Sequence, residues 1–359
     1  MNFKSIKVVP MEKSAIRMMV CGDFINKTQP LANQCVAALT QAGVTVFPVN
    51  TEIRQSRVGM FLKKITKSLA KLVNLKQPLS DYYVRQERDA LLRNVQTVFA
   101  QARPDAVLVI RGNHVDSQLL QEMQRQGAVT IGWWIKDLKR IDTLFRDRPF
   151  YDIYFCIHES VKEMNVEYLP ANAVDRSRFY PLDQRRYAYD VVFVGICTPK
   201  RMEYLLPLAK LRLGIVGPGW RTKNLLRTYP LFSSVVARTL HGDELVKFYN
   251  SGKIVININQ WAATEASGVT LRTADVPACG AFYLTEYSRG LEEVFRLNEE
   301  IVTFATPEEL LTKVNYYLEH DDEREAIAKA GYARTLQLPT HVDRMRVVLN
   351  RIQAHADGV

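Results

Sequence analysis

The sequence predicts an α/β protein made of two Rossmann-like domains that face each other across a cleft, followed by C-terminal helices. Two observations support this prediction. The chain has 359 residues, which is more than one hydrophobic core usually holds. Short runs rich in β-branched residues also alternate with segments whose apolar residues recur at helical spacing. Such alternation is typical of β-α-β units around a buried parallel sheet.

In the first half of the chain, five short apolar runs have the composition and length of strands. They are IRMMVC (16–21), VTVFPVN (44–50), AVLVIRG (106–112), VTIGWWI (129–135) and IYFCI, which begins at Ile153. The segments between them that show helical spacing are 30–42, 81–101 and 116–126.

The stretch LPANAVDRSRFYPLDQRRYAYD (169–190) interrupts this alternation with two prolines and several charges, as domain connections do. Strand-like runs then resume as DVVFVG (190–195), LGIVG (213–217), KIVININ (253–259), AFYLTE (281–286) and IVTFA (301–305). Only helical patterns follow, and Thr306 with Glu309 predicts a capping box. We therefore expect a first domain over 1–175, a linker over 176–189, a second domain over 190–340, and a last helix over 341–359 that can cross back to the first domain.

Composition narrows the class of protein. Hydrophobic residues make up 47% of the chain and charged residues 24%, as in soluble globular proteins. No run approaches the roughly 18 apolar residues of a spanning helix, and the N-terminus lacks a signal-peptide pattern, so we expect a cytoplasmic protein. The five cysteines are scattered without Cys-x-x-Cys spacing, which predicts neither disulfides nor a zinc site.

The net charge of +10 indicates an anionic partner, and part of it is concentrated in residues 54–76. This segment has seven Lys or Arg residues, no acidic residue, and apolar residues at helical spacing. One interpretation is an interfacial helix that binds an anionic membrane surface, with the protein peripheral at the inner face of the cell membrane. The alternative is a helix that packs on the first domain with solvated lysines. Specific nucleic-acid binding is not expected, because interleaved aromatics and a recognition motif are both missing.

Ligands of open parallel sheets bind outside the carboxyl ends of the strands, so the loops there are the first candidates. In GICTPKR (195–201), the small Gly195, the Thr198 hydroxyl and the cations Lys200 and Arg201 suit a diphosphate. The alternative is an ordinary βα turn with solvated cations.

Two further loops of the second half are weaker candidates. In GPGW, Gly217 permits a close backbone approach and Trp220 offers a flat surface to a base or sugar, although such residues also serve turns and packing. His241, which follows VVARTL, is a candidate to line a base pocket; a structural loop histidine is the alternative.

The stretch SGVTLRTADVPACG (267–280) is the strongest candidate. Gly268, Val269 and Thr270 present backbone N–H groups at a helix N-terminus, and Arg272 adds a permanent cation. One turn later, Asp275 can accept hydrogen bonds from the hydroxyls of a ribose. The alternative is an ordinary intrahelical Arg–Asp pair.

The phrases DVVFVGICTPKRMEYL, LVKFYNSGKIVININ and GVTLRTADVPACGAFYLTEYSRGLEEVF resemble the C-terminal domain of the CgeB-like, spore-maturation-type glycosyltransferases. These form a GT-B group related to glycosyltransferase family 4. The resemblance is specific over 190–320 and general over the first half, where WWIKD (133–137) and YLPANAVD (168–175) stand at the family's acceptor-side and interdomain segments. It implies that Arg272 contacts the diphosphate and that Asp275, usually Glu in the family, contacts the ribose.

The resemblance implies a glycosyltransferase that moves a sugar from a nucleotide-diphosphate sugar, UDP-type favoured, to a glycan, lipid-linked or protein acceptor. The chain has no Asp-x-Asp motif, so we expect neither a metal nor another cofactor, with cations stabilising the leaving nucleotide. Candidate catalytic residues are Asp23, His114 and Asp137. An inverting enzyme needs a general base, for which Asp137 or His114 is suited, whereas a retaining enzyme, like those of family 4, can work without one. The alternative function is a non-catalytic two-lobed protein that binds a nucleotide or sugar.

Overall fold

A computed structural model of the chain describes residues 16–24, 31–52, 79–110, 115–136, 138–170, 173–220, 239–259 and 272–358. Within these ranges the chain forms two parallel β-sheets, one in each half, with helices packed on their faces.

The first sheet has six parallel strands in the described ranges, in the order β2-β1-β3-β4-β5-β6. They are β1 (Arg17–Gly22), β2 (Thr45–Asn50), β3 (Ala106–Ile110), β4 (Val129–Trp134), β5 (Ile153–Cys156) and β6 (Glu167–Tyr168). The five strands predicted here are confirmed to within two residues at each end. The sequence analysis did not identify β6, because two residues are too few to show a strand period.

Helices cover both faces of this sheet. They are α1 (Leu31–Gln41), α2 (Leu79–Ala102), α3 (Ser117–Arg125) and α4 (Ile141–Asp147), with 3₁₀ turns at Leu138–Arg140, Arg148–Phe150 and Glu159–Met164. Helix α1 buries Leu31, Cys35 and Leu39 against one face. Phe99 of α2 and Leu119 of α3 are buried in the cluster on the other face. Each face therefore has its own hydrophobic cluster.

The second sheet has five parallel strands among the described residues, in the order β11-β10-β9-β7-β8. They are β7 (Tyr189–Val194), β8 (Leu213–Val216), β9 (Gly252–Asn257), β10 (Tyr283–Glu286) and β11 (Val302–Phe304), all close to the predicted runs. The chain moves outward from β7 to β8 and then returns to place β9 on the other side of β7. This reversal creates a switch point between the carboxyl ends of β7 and β9, where α/β sheets bind ligands.

The helices of the second half surround this sheet. They are α5 (Pro199–Leu205), α6 (Asp243–Tyr249), α7 (Arg272–Ala278), α8 (Pro307–Glu319), α9 (Asp321–Thr335) and α10 (His341–Ala356), with a 3₁₀ turn at Leu206–Leu208. Thr306 caps α8 by accepting a hydrogen bond from the Glu309 N–H at 3.2 Å. The predicted reciprocal bond is wrong, because Glu309 accepts from the Ala305 N–H instead. A complete capping box begins α10, between Thr340 and Asp343.

Helix α10 belongs to the second half in sequence but packs on the first sheet. Its buried residues Met345, Val348, Leu349 and Ile352 join the cluster formed by α1 and the first-sheet strands. A parallel bridge between Val174 and Thr340 accompanies this return of the chain. The boundaries of the two domains and the linker stay a prediction.

The basic segment 54–76 lies outside the described residues, so the choice between membrane binding and internal packing stays open. Among the helices that are described, none combines the length and the hydropathy needed to span a bilayer.

Candidate functional site

The central strands of the second sheet end in buried polar residues. Asn257, Asn259, Thr285 and Glu286 lie at or just beyond the carboxyl ends of β9 and β10, and each is no more than 3% exposed. Buried polar groups are stable only when they are hydrogen-bonded. The apolar core is thus replaced, at the switch-point edge of the sheet, by a polar network.

Asn257 connects this network to Arg272. Its amide nitrogen donates to Asn259 Oδ1 at 3.0 Å and to Thr285 Oγ1 at 3.1 Å. Its amide oxygen accepts a hydrogen bond from Arg272 Nη1 at 2.7 Å. Arg272 is half-buried. Its bond to Asn257 therefore orients a cation at the carboxyl edge of the sheet. The alternative of an intrahelical pair is not seen, since no ion pair joins the side chains of Arg272 and Asp275.

Glu286 fixes two other groups of the site. One carboxylate oxygen lies 2.6 Å from Lys200 Nζ, and the other accepts the Asn259 backbone N–H at 2.8 Å. The Lys200 side chain is 29% exposed and that of Glu286 only 4%. Lys200 therefore lies at the edge of the sheet where the sequence analysis placed it, with its ammonium held by a buried carboxylate.

Arg201 connects the loop after β9 to the loop after β7. Its Nε and Nη2 donate to the Ile258 carbonyl at 3.0 and 2.9 Å, and Nη1 donates to the Ile196 carbonyl at 3.1 Å. Burial, reinforced by the charge of Arg272, lowers the pKa of Arg201 to about 10. The residue is only 4% exposed, so the direct diphosphate contact predicted for it is corrected to a bracing role.

The loops after β7 and β8 pack on each other. The Trp220 indole N–H donates to the Gly195 carbonyl at 2.7 Å, and the side chain is fully buried against Phe193. The prediction that Trp220 offers a surface to a base or sugar is therefore wrong. Gly217 adopts φ +146°, and a Cβ there would lie 2.1 Å from the Gly195 carbonyl oxygen, so its close approach is to Gly195.

The Thr198 hydroxyl is also engaged within the protein. It is the N-cap of α5 and accepts a hydrogen bond from the Arg201 N–H at 3.3 Å. The Cys197 N–H donates to the Pro218 carbonyl at 3.0 Å. Internal hydrogen bonds thus hold the loop that carries Lys200, and the ligand contacts predicted for Gly195, Thr198 and Lys200 stay predictions.

Asp275 lies on α7 one turn beyond Arg272 and is half-buried. Burial raises the pKa of its carboxyl to about 8, against the opposing charges of Arg178 and Arg272 and with reinforcement from Asp175. Asp175 and Arg178 belong to the segment that connects the two halves. A carboxyl that is largely protonated near neutral pH can donate as well as accept a hydrogen bond.

Of the remaining candidate site residues, the structure describes Asp23 and His241. Asp23 follows β1 at the carboxyl edge of the first sheet, beside the switch point between β1 and β3. His241 is half-buried and immediately precedes Gly242, the N-cap of α6. Five residues lie outside the described ranges: His114, Asp137, Gly268, Val269 and Thr270. Their predicted roles stay predictions.

The sequence analysis did not single out Asn257, Asn259 or Glu286. Each is a polar residue at the end of an otherwise apolar strand run, in KIVININ and AFYLTE. Such residues, at the carboxyl ends of two neighbouring strands beside the switch point, are the signal that could have identified them. Among the residues whose positions are described, no group of three His, Cys, Asp or Glu side chains is arranged to hold a metal ion.

Comparison with known proteins identifies similar sequences and similar folds. A family model described as glycosyl transferase-like matches residues 201–350. Spore protein CgeB of Bacillus subtilis is 20% identical over 275 residues, which cover 69% of this chain and 84% of that protein. Sucrose-phosphate synthase from Thermosynechococcus elongatus superposes with a TM-score of 0.67 at 11% identity, over 95% of this chain and 100% of that one. The chain has the GT-B fold, and its second half resembles glycosyl transferase-like proteins that include CgeB.

A second solved structure has the same architecture. HepE from Anabaena, in complex with UDP-glucose, superposes with a TM-score of 0.62 at 10% identity, over 96% of this chain and 100% of that one. The predicted α/β class with two Rossmann-like sheets is confirmed, and so is the resemblance to the CgeB-like group.

Proposed function

We propose that the chain transfers a sugar from a UDP-type nucleotide sugar, bound at the carboxyl edge of the second sheet, to an acceptor bound by the first domain. The observation that carries this proposal is the Arg272 guanidinium, oriented by Asn257 at the switch point. Guanidinium groups form strong charge-assisted hydrogen bonds with phosphate. The UDP-glucose complex of HepE supports a UDP-type donor.

Each end of the donor has candidate partners. Arg272 and Lys200 bind the diphosphate, and the buried Arg201 adds positive charge without direct contact. Asp275 binds the ribose. His241 and the backbone of 268–270 complete the proposed donor site. As the glycosidic bond breaks, negative charge develops on the leaving diphosphate, and fixed cations stabilise that charge. We therefore propose that transfer is independent of a divalent metal.

The acceptor side is proposed from the first sheet. Asp23, His114 and Asp137 follow β1, β3 and β4, so they face the cleft in the proposed arrangement. Resemblance to family 4 favours retention of configuration, which does not require a protein base; inversion would require one, with Asp137 or His114 in that role. The proposed acceptor is a glycan, a lipid-linked glycan or a protein. Residues 54–76 would hold the cytoplasmic enzyme at an anionic membrane surface in the lipid-linked case.

Isothermal titration calorimetry with UDP, in buffer containing EDTA, tests this proposal. Arg272→Ala should weaken binding by about 1.5–3 kcal/mol, because a charge-assisted hydrogen bond to phosphate is lost. Adding magnesium or manganese should leave the affinity of the wild type unchanged.

The matched control is Arg212→Ala. Arg212 is an exposed arginine that pairs with Asp190 at 2.6 Å, just before β8 and so at the opposite edge of the sheet. Its removal should leave UDP affinity unchanged. Equal affinity of Arg272→Ala and wild type for every nucleotide that binds would refute the assignment, and binding that requires a metal would refute metal independence. Binding without any sugar transfer would favour the non-catalytic alternative.

A further inference from the structure

Glu286 is a buried carboxylate in the donor site that the proposed chemistry does not use. It ends β10, is 3% exposed, and has both oxygens engaged, one by Lys200 Nζ and one by the Asn259 N–H. The Asn259 side-chain nitrogen also lies 3.4 Å from the Glu286 backbone carbonyl. A carboxylate so enclosed is held in one position, and so is the ammonium that it contacts.

Two cations of the site interact with Glu286. Lys200 contacts it directly, and Arg201 feels the charges of both Arg272 and Glu286, with opposite effects on its pKa. Asp275, the other carboxyl near Arg272, has its pKa raised to about 8, so it carries little negative charge at pH 7. Glu286 therefore supplies a negative charge beside Lys200 and Arg201.

We propose that Glu286 is a positioning residue that holds the Lys200 ammonium and lowers the net positive charge of the donor site, which limits how tightly the nucleoside diphosphate product is retained. This inference rests on the function proposed above. Without the negative charge of Glu286, the cations of the site would bind the product more strongly, and slow product release limits the turnover of many enzymes. Glu286 would thus weaken binding of the nucleoside diphosphate and speed its release.

Glu286→Gln tests the inference, because glutamine keeps the shape and removes the charge. Titration calorimetry should show UDP bound about tenfold more tightly than by wild type, since a unit charge near a phosphate acts strongly in a partly desolvated site. In a transfer assay kcat should fall together with KM for the donor. A purely structural role for Glu286 predicts the opposite result, a weakened or unchanged affinity.

Glu300→Gln is the matched control. Glu300 is also buried and paired, with Arg296 Nε at 3.0 Å, but it precedes β11 and so lies at the opposite edge of the sheet. Its substitution should leave UDP affinity unchanged. The double variant Lys200→Met, Glu286→Gln removes one charge of each sign and replaces the ion pair by neutral groups, so its UDP affinity should stay within about threefold of wild type.

The double variant also decides the question if Glu286→Gln alone does not fold. A large loss of UDP affinity in the folded double variant would overturn the inference, as would unchanged or weaker binding by folded Glu286→Gln. Wild type that binds no nucleoside diphosphate would overturn the proposed function itself, and this inference with it. The two failures are distinguished by the wild-type titration.

Discussion

Side chains at the carboxyl edge of the second sheet divide into those that face the edge and those that support it. Arg272 and Lys200 are partly exposed cations held by Asn257 and Glu286. Arg201 and Trp220 are buried, and they bind the loops to one another. The site therefore consists of a few oriented charges on a hydrogen-bonded support.

The raised pKa of Asp275 should make the free energy of unfolding depend on pH. Its pKa is raised by burial from 3.8 to about 8, so the folded state favours the protonated form. This contribution to the free energy of unfolding is fully present below the unfolded pKa and is lost as pH rises through about 8. Asp275→Asn should therefore be more stable than wild type at pH 9, on the order of 2 kcal/mol after allowance for screening, and about equal to it near pH 4.

Urea unfolding of both proteins between pH 4 and pH 9 provides the measurement. Asp190→Asn is the control with the opposite sign, because Arg212 holds the pKa of Asp190 below its ordinary value; this variant should lose stability at neutral pH and recover it relative to wild type in acid. A stability difference between Asp275→Asn and wild type that does not change with pH would contradict the account.

At this scale the sequence indicated candidate charged residues but not the residues that they contact. Arg272 could be proposed from the sequence because a cation beside a helix start is a local pattern. Asn257 and Glu286 escaped notice because their importance depends on which strands are neighbours, and strand order is a long-range property. Trp220 was misassigned for a related reason: whether an indole is buried depends on how the loop after β7 meets the loop after β8.

Among the elements, strands were the most predictable. Buried parallel strands such as AVLVI and KIVIN are near-continuous apolar runs, and their ends agree with the structure to within two residues. Local caps were predicted in part. Thr306 caps α8 as expected, whereas the reciprocal bond depends on the rotamer of Glu309, which also pairs with Lys313.

Because helix α10 packs on the first sheet, a substitution in α10 should destabilise the first half of the chain. Met345 is 1% exposed and packs in the hydrophobic cluster of the first sheet. Met345→Ala should lower the free energy of unfolding by about 2–5 kcal/mol, because buried methylenes are removed and a cavity remains. Urea denaturation measures this loss.

Arg346→Ala, one residue further on the same helix, is the control. Arg346 is exposed and pairs with Asp343 three residues earlier, so its removal should change stability by less than about 0.5 kcal/mol. Similar effects of the two substitutions would mean that α10 does not contribute its apolar face to the first sheet.

Over the whole molecule, the order of strands explains where the candidate residues lie. Each sheet has its strand order reversed beside its first strand, β1 in one half and β7 in the other. Candidate residues from both halves, Asp23 and the 195–201 loop, follow these strands directly. The fold class was predictable because two sets of apolar runs separated by a charged connection leave few other architectures.

The acceptor was not predictable, for a physical reason. In the proposed function the acceptor site is formed by loops of the first domain, where no repeated period constrains the residues. The nucleotide side is more regular because phosphate and ribose require cations and hydrogen-bonding groups at strand ends.

Hydrogen–deuterium exchange with and without saturating UDP tests the central claim, that nucleotide binds at the carboxyl edge of the second sheet. The account predicts slower exchange in segments 195–201, 257–259 and 272–286, and unchanged exchange at the opposite edge, in 206–213, and along α8. Protection confined to the first sheet, or protection of the second sheet only at its amino edge, would contradict it.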